Sequence, residues 1–482
     1  MGKRLLILLA AAMPFALFAQ EKWDLRRCVE YAVKNNISVK QADVQARISE
    51  LQLKQARMNR FPSLGFSTGL GTQFGRSIDP TTNQFTTTQL LYQNYGLQGS
   101  VQVFGFGQLK NSIQAARFNA EAALKDIERA ANDVSMNVAT YYLQVVASKE
   151  QINISEVQIK QDLAQYKDTK SRVDAGALPE LNLAEIESQL ATDSIALITS
   201  RATFEQNVLS LKALLNIEAG DAFEVDTPPM EQIPLENIAD MQPDIVYQLA
   251  LNNQPLQKVN ELKIKGAEKT IAAYKSQLYP SLSLGYSLTS RFSSSLKSAT
   301  NTIAGYDYLP YFTDINGQIY PVQTPVYSSS YSRKSFGKWW DGYGSQLDQN
   351  FNQSIGFTLS VPIFNSGNTY KVNYQRSQLD LKTLQLQKAQ ANQDLQQNIY
   401  KAYVNATSAM QKFYAGDRSV ASAQKAYDFA TKRYEVGLLS SIDLLTNQNN
   451  LLKAKLQQLS NQYEYVFRMK LLEFYKGQGL KL

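Results

Sequence analysis

Four stretches of the chain alternate apolar and small polar residues with a period of two. In the first, Leu64, Phe66, Leu70 and Phe74 hold even positions, and Gly65, Ser67, Gly69, Gly71 and Gln73 stand between them. The second sets Tyr95, Leu97, Val101 and Val103 against Gly96, Gln98, Ser100 and Gln102. The third sets Leu282, Leu284, Tyr286 and Leu288 against Ser281, Ser283, Gly285, Ser287 and Thr289. In the fourth, Ile355, Phe357, Leu359, Val361 and Ile363 alternate with Ser354, Gly356, Thr358 and Ser360. Successive side chains leave a pleated strand on opposite faces, so each stretch predicts a strand with one greasy face and one small polar face.

A soluble sheet would carry larger charged residues such as Lys and Glu on its exposed face, whereas a membrane barrel puts lipid on the apolar side and water in the lumen. Gly and Ser facing inward would keep that lumen open. Four strands cannot close, because the smallest barrels need about eight. The barrel must then be shared: two chains would give eight strands and three would give twelve, closed rings being the usual solution. Eight-stranded barrels fill with side chains, so the small inward residues favour the larger count.

Between the strands the period changes. From about Gln108 to Val173, apolar residues recur three and four apart at Leu109, Ile113, Ala116, Ala120, Ala123, Ile127, Ala130, Val134, Val138, Tyr141 and Val145. This is a coiled-coil-like stripe, and at 1.5 Å per residue the helix would span on the order of 100 Å. A counterpart from about Thr369 to Val436 carries Leu379, Leu386, Leu395, Ile399, Ala402, Ala406 and Met410. Each helix is expected to stop at a glycine, Gly176 and Gly437. The next helices are expected to start at Pro179, a favoured first-turn residue, and at Ser440, which forms a capping-box-like pair with Asp443.

The elements recur in order. "KNNISVKQADVQARISELQLKQARMNRFPSLGF" from Lys34 is echoed by "LNNQPLQKVNELKIKGAEKTIAAYKSQLYPSLSLGY" from Leu251, "VFGFG" (103–107) by "IFNSG" (363–367), and "RVDAGALPELNLAE" (172–185) by "RYEVGLLSSIDLLT" (433–446). The fold expected is mixed α and β, built as two tandem structural repeats. The first covers 20–216 and the second 245–482, each with a helix, two strands and a helical hairpin. Residues 217–244 join them; they hold eight acidic residues, four prolines and no Lys or Arg.

The amino terminus changes the setting. Lys3 and Arg4 precede an apolar run from Leu5 to about Phe18 and the small Ala19, the order of a secretory signal peptide, with 1–19 removed after Ala19. The run is shorter than the roughly 20 residues a spanning helix needs, and no later segment approaches that length without polar interruption. The only cysteine, Cys28, follows Arg26 and Arg27 without a lipobox, so neither an internal disulfide nor a lipid anchor is expected there.

Several function classes drop out. The chain has no histidine, which removes Ser-His-Asp and Cys-His nucleophiles and histidine metal sites together. No phosphate loop or dinucleotide fingerprint is present, and no cofactor is expected. The formal charge of +7 becomes +5 when Lys3 and Arg4 leave (7 − 2). That surplus is dispersed, so nucleic acid is not an expected partner.

With these features together the chain resembles the TolC-type outer-membrane efflux protein family. The resemblance is carried by "WDLRRCVEYAVKNN", "FPSLGF", "YPSLSLGY", "LSVPIFNSG" (359–367) and "RYEVGLLSSIDLLTNQNNLLKA" (433–454), and spans essentially the mature chain. It implies a homotrimer with a shared 12-stranded transmembrane β-barrel in outer-membrane lipid, four strands per chain, and a long periplasmic α-helical coiled-coil barrel. It also implies an exit duct, not an enzyme, serving a tripartite efflux or type I secretion system. The implied partners are a periplasmic adaptor (membrane fusion) protein and an inner-membrane pump of RND or ABC type.

The same resemblance suggests site residues. Asp443 matches an acidic position of the periplasmic gate, and three copies would form a carboxylate ring favouring cations; Asp443 is equally placed to stabilise its own helix start through the dipole. Thr446 stands where some relatives carry a second acid. Tyr434 matches a residue that in some relatives ties neighbouring helix pairs through an acid at the position of Asn182; an Asn there can still bond a phenol but makes a weaker tie, and Tyr434 reads equally as a plain packing residue. Gly176, Ala177 and Leu178 with Val436, Gly437 and Leu438 would be the hairpin tips against which an adaptor docks, and they also read as plain helix C-caps.

A long extracellular loop, 296–350, contains Tyr306, Tyr308, Tyr311, Tyr320, Tyr327, Tyr331, Trp339, Trp340 and Tyr343. So many aromatics argue for order, either folded over the outer mouth or as a belt at the lipid interface. Two other functions compete with a duct. A non-conducting periplasm-spanning scaffold would plug the lumen with bulky residues where this chain has Gly and Ser. A carboxylate-dependent hydrolase would need a clustered acid motif, which the sequence lacks.

Overall fold

A computed structural model describes residues 22–78, 83, 85–86, 89–226, 233–364 and 366–477. The expected signal peptide, 1–19, lies outside these residues, as do 227–232 of the acidic connector. The described chain forms two compact units, one of residues up to 53, 115–268 and from 378 on, the other of 54–114 and 269–377.

In chain order, α1 (Leu25–Asn35) and α2 (Ile37–Met58) lead to β1 (Ser63–Gln73), a short pair β2 (Ser77–Ile78) and β3 (Phe85–Thr86), then β4 (Leu90–Phe104), α3 (Gln108–Asp174) and α4 (Glu180–Leu215). After the connector come α5 (Pro243–Asn253), α6 (Pro255–Ser276), β5 (Ser281–Ser295), β6 (Lys297–Ile315), β7 (Gln318–Arg333), α7 (Tyr343–Gln349), β8 (Asn352–Ser360), α8 (Thr369–Glu435) and α9 (Ser441–Lys476). The two longest helices run where the three-and-four spacing predicts them, each 67 residues long. Pro179 caps α4 from outside and does not open its first turn. Among the described residues, no helix is long and apolar enough to cross a membrane.

The strand unit answers the alternation directly. Four strands pair antiparallel in the order β1-β4-β5-β8. Directly paired residues share a face, and the register sets Phe66 opposite Leu97, Leu97 opposite Leu288, Leu284 opposite Phe357 and Tyr286 opposite Ile355. The apolar stripes of the four strands therefore fall on one face as far as Val101 of β4; beyond it the register shifts, and Phe104 rather than Val103 pairs with Leu282. The other face collects Ser67 opposite Gly96, Ser100 opposite Gly285 and Ser287 opposite Ser354. The hydroxyls of Ser287 and Ser354 lie 2.8 Å apart across it. Among the described residues β1 and β8 each leave one edge unpaired, and the apolar face is open, with Phe357 69% exposed.

The segment expected as a loop at 296–350 is ordered. Most of it is the hairpin β6–β7, which turns at Asn316 and Gly317 with the Gly317 N–H donated to Asp314 Oδ1 at 2.8 Å. Pro310 falls at a register shift between Tyr308 and Phe312, and Pro321 and Pro325 lie on β7. In a two-stranded ribbon each strand has a free side, so proline's missing N–H is tolerated. Trp339, Trp340 and Tyr343 do not cover the small-residue face. Trp340 stacks on Phe292 at 5.8 Å, and the Tyr343 hydroxyl meets those of Tyr95 (2.6 Å) and the Gln93 side chain (3.0 Å). Gln93, Tyr95 and the Phe292 paired with Gln93 belong to the apolar face.

In the helical unit, α1 and α2 bury Leu25, Cys28, Ala32 and Val39 against Val134, Val138 and Tyr142 of α3 and Leu211 and Leu215 of α4. α5 likewise buries Val246 and Ala250 against Ile399, Ala402 and Ala406 of α8 and Met469 and Leu472 of α9. The connector has no Lys or Arg of its own, and two buried lysines reach it. Lys212 donates to the carbonyls of Ala219 (2.8 Å) and Asp221 (2.6 Å), and Lys470 donates to that of Pro234 (2.7 Å).

Candidate functional site

The residues singled out for a gate lie at the joints of α3 with α4 and of α8 with α9. Both joints use the same backbone solution. Gly176 N–H bonds to Val173 O at 2.8 Å and Ala177 N–H to Arg172 O at 2.8 Å; Gly437 N–H bonds to Tyr434 O at 3.0 Å and Leu438 N–H to Arg433 O at 2.8 Å. These paired bonds satisfy the last helical carbonyls and require a left-handed residue, which Gly176 (φ 73°) and Gly437 (φ 76°) supply. The turns then present Ala177, Val436 and Leu438 to solvent, Leu438 at 70% exposure. Leu178 is half-buried.

Ser440 caps α9. Its Oγ accepts the Asp443 N–H at 3.2 Å and donates to Asp443 Oδ2 at 2.6 Å. The Asp443 carboxylate is exposed in the first turn, where the helix dipole favours a negative charge. Thr446, one turn on, donates to the Ile442 carbonyl at 2.7 Å. Tyr434 is buried with Ala430 and Leu444, beside Tyr427 and Leu439. Its hydroxyl lies 3.5 Å from Thr169 Oγ1 on α3, and the Arg172 guanidinium stands 6.0 Å from its ring centroid. Asn182 is half-buried in the first turn of α4, its N–H bonded to Pro179 O at 3.1 Å. Within one chain, then, the structure joins Tyr434 to Thr169 and to the packing beneath Asp443, and does not pair it with Asn182.

A second set of residues near the tips escaped the sequence reading. Asp162 on α3 is 2% exposed and Asp193 on α4 is 5% exposed. Asp162 Oδ1 accepts Nε2 of Gln158 (2.9 Å) and Nε2 of Gln448 on α9 (2.5 Å). Gln189 on α4 donates to Asp193 Oδ2 at 2.9 Å and exchanges hydrogen bonds with Asn449 on α9, 3.1 Å in each direction. Ser441 Oγ adds a link from α9 to Glu185 Oε2 on α4 at 2.7 Å. Burial, and then the adjoining Asp193 carboxyl, push the Asp162 carboxyl up to about 7, against the pull of the Gln448 and Gln158 amides. The signal was present in the helical period. Continued past Val145, the three-and-four stripe reads Ser148, Ile152, Ser155, Gln158, Asp162 and Thr169, all buried. The seam of α3 turns from apolar to polar toward its tip.

Residues 29–216 and 322–475 match the family described as outer membrane efflux protein. The probable outer membrane lipoprotein SilC of Salmonella typhimurium is 21% identical over 89% of this chain and 80% of its own length. The toxin and drug export protein A of Aggregatibacter actinomycetemcomitans is 21% identical over 92% of this chain and 84% of its own. Among solved structures, CusC superposes with a TM-score of 0.74 at 16% identity, over 96% of each chain. VceC of Vibrio cholerae superposes with a TM-score of 0.72 at 13% identity, over 95% of this chain and 97% of its own. The match covers most of the chain, and the chain belongs to the outer membrane efflux protein family, as an outer-membrane channel for export and not an enzyme.

Proposed function

We propose that three copies of this chain form the exit duct of a tripartite efflux or type I secretion system, passing drugs or other cargo from an inner-membrane pump, through a periplasmic adaptor, to the exterior. The observation that carries this reading is the four-stranded sheet, with the apolar stripes on one face, a polar face rich in Gly and Ser on the other, and both edges unpaired among the described residues. In lipid an open edge leaves backbone N–H and C=O groups unsatisfied, at several kcal/mol each. Pairing β8 of one copy with β1 of the next removes the edges, and three copies of four strands close a barrel of twelve.

In this reading α3, α4, α8 and α9 form the periplasmic tube, and the two tandem repeats correspond to 20–216 and 245–482 about the connector 217–244. The equal lengths of α3 and α8, 67 residues, and of α4 and α9, 36 residues, support that division. Asp443 contributes one carboxylate per copy to a ring at the closed tip, Tyr434 packs the tip shut, and Asn182 faces a neighbouring copy. The exposed turns at Gly176, Ala177 and Leu178 and at Val436, Gly437 and Leu438 are the docking points for the adaptor. The relatives named for toxin and drug export and for pyoverdine export support drugs or other exported compounds as cargo.

The test is the mass of the detergent-purified protein by native mass spectrometry, together with dye accumulation in cells lacking its gene. A threefold chain mass and raised dye retention, reversed by the intact gene, are expected. A monomer or a dimer contradicts the shared barrel of twelve strands, and unchanged retention with every candidate dye contradicts export of such compounds.

A further inference from the structure

We propose that Asp162 and Asp193 form one proton-binding site that latches α9 to α3 and α4, so that the gate of the proposed duct responds to pH. The inference rests on the duct reading for the word gate, and on the buried cluster for everything else.

The geometry is that of an acid pair. Asp162 Oδ1 is filled by two amide donors, Gln158 from its own helix and Gln448 from α9, while Asp162 Oδ2 has no donor. The Asp193 carboxyl lies within hydrogen-bond reach of Asp162. Two carboxylates in contact can bond only when one carries a proton, and like charges buried together are unfavourable. A shared proton gives the orphaned oxygen its partner and removes one of the two charges. The groups bearing on the pair from the surrounding helices are amides and a phenol: Gln189 on α4, Gln448 and Asn449 on α9, and Tyr427 on α8, with Asp428 beyond it. A metal ion fits poorly, because amide N–H groups point at Asp162, and among the described residues no third His, Cys, Asp or Glu joins the pair.

The latch follows from where the donors sit. Gln448 and Asn449 are the α9 side of the cluster, so moving α9 away breaks both links and admits water to the carboxyls. In water the carboxyl returns toward 3.8, whereas packed it titrates at about 7. The packed state therefore holds its extra proton between those values. Its stabilisation is complete below about pH 4 and is lost as pH rises through about 7. Acid holds α9 down, and neutral to alkaline pH loosens it.

Hydrogen exchange on the full-length protein in detergent tests this, with amide rates corrected for their intrinsic pH dependence. Protection of residues 158–165 and 444–452 is expected to fall by up to about tenfold per pH unit between about pH 5 and 7, and to fall less steeply over that window in Asp193→Asn, where burial of Asp162 remains but its acidic neighbour is gone. A flat wild-type profile, or the same slope in the variant, overturns the proposal. Should the variant not fold, an infrared titration of the wild type serves. A protonated-carboxyl band persisting to about pH 6 is expected, and its absence overturns the proposal. Neither readout needs current or a partner, so a protein that fails to conduct leaves the latch standing, and a flat exchange profile leaves conduction untouched.

Discussion

The Tyr434 hydroxyl lies 3.5 Å from Thr169 Oγ1, so the last turn of α8 meets α3 of the same chain through a contact longer than an ordinary O–H···O bond. Burial of the ring with Ala430 and Leu444 is the larger interaction. Tyr434→Phe should therefore leave the melting temperature almost unchanged. Tyr434→Ala should destabilise the tip by about 3 kcal/mol through the cavity it leaves, seen as faster proteolysis near the α8–α9 turn. Equal effects of the two substitutions would make the hydroxyl the important part.

Ser440 and Asp443 separate two roles that the sequence alone superimposes. Both belong to the cap of α9, and loss of either side chain should cost about 1 kcal/mol locally. Only Asp443 brings a charge to the proposed ring. Ser440→Ala is expected to keep the cation preference of the channel, and Asp443→Ala to lose it, in reversal-potential measurements under a salt gradient. Loss of selectivity in both variants would assign the effect to the helix start.

The two faces of β8 make opposite forecasts for adjacent positions. Phe357 pairs with Leu284 on the apolar face, and Thr358 pairs with Ser283 on the other. A lysine in the lipid-facing position near mid-bilayer costs about 2–4 kcal/mol, whereas lumen positions tolerate charge. Phe357→Lys should lower the urea midpoint for unfolding from lipid vesicles, and Thr358→Lys should shift ion selectivity at little cost in stability. The reverse order would turn the sheet inside out.

Cys28 lies fully buried with Leu25 and Ala32 against α3 and α4, and burial pushes its thiol up to about 12. A neutral, enclosed thiol is a poor nucleophile. It should resist alkylation at about pH 8 in the folded protein and react at once in denaturant, as a mass shift would show. Rapid labelling of the folded protein would contradict the packing of α1.

The legible parts of the fold are those with a single dominant period. Strands β1, β4, β5 and β8 and helices α3 and α8 could be placed from alternation and from the three-and-four stripe, because both patterns are imposed locally along the chain. The hairpin β6–β7 is not legible as strands, since Pro310, Pro321 and Pro325 fall within it and a free-edged ribbon tolerates what a central strand cannot. At the tips, the glycine turns and the Ser440 cap were visible as short-range patterns. The Asp162–Asp193 pair was not, since the two residues stand on different helices and only packing brings them together. Likewise Tyr434 meets Thr169, which no motif marked, because the helical phase of α3 places Thr169 on the buried seam.

Single-channel recording in planar bilayers, comparing the wild type with Tyr434→Ala, bears hardest on the duct. A water-filled shared barrel with a packed tip should give small wild-type currents and several-fold larger, longer openings in the variant. If both proteins insert as folded barrels and neither passes current, the lumen is plugged, and a periplasm-spanning scaffold replaces the exit duct.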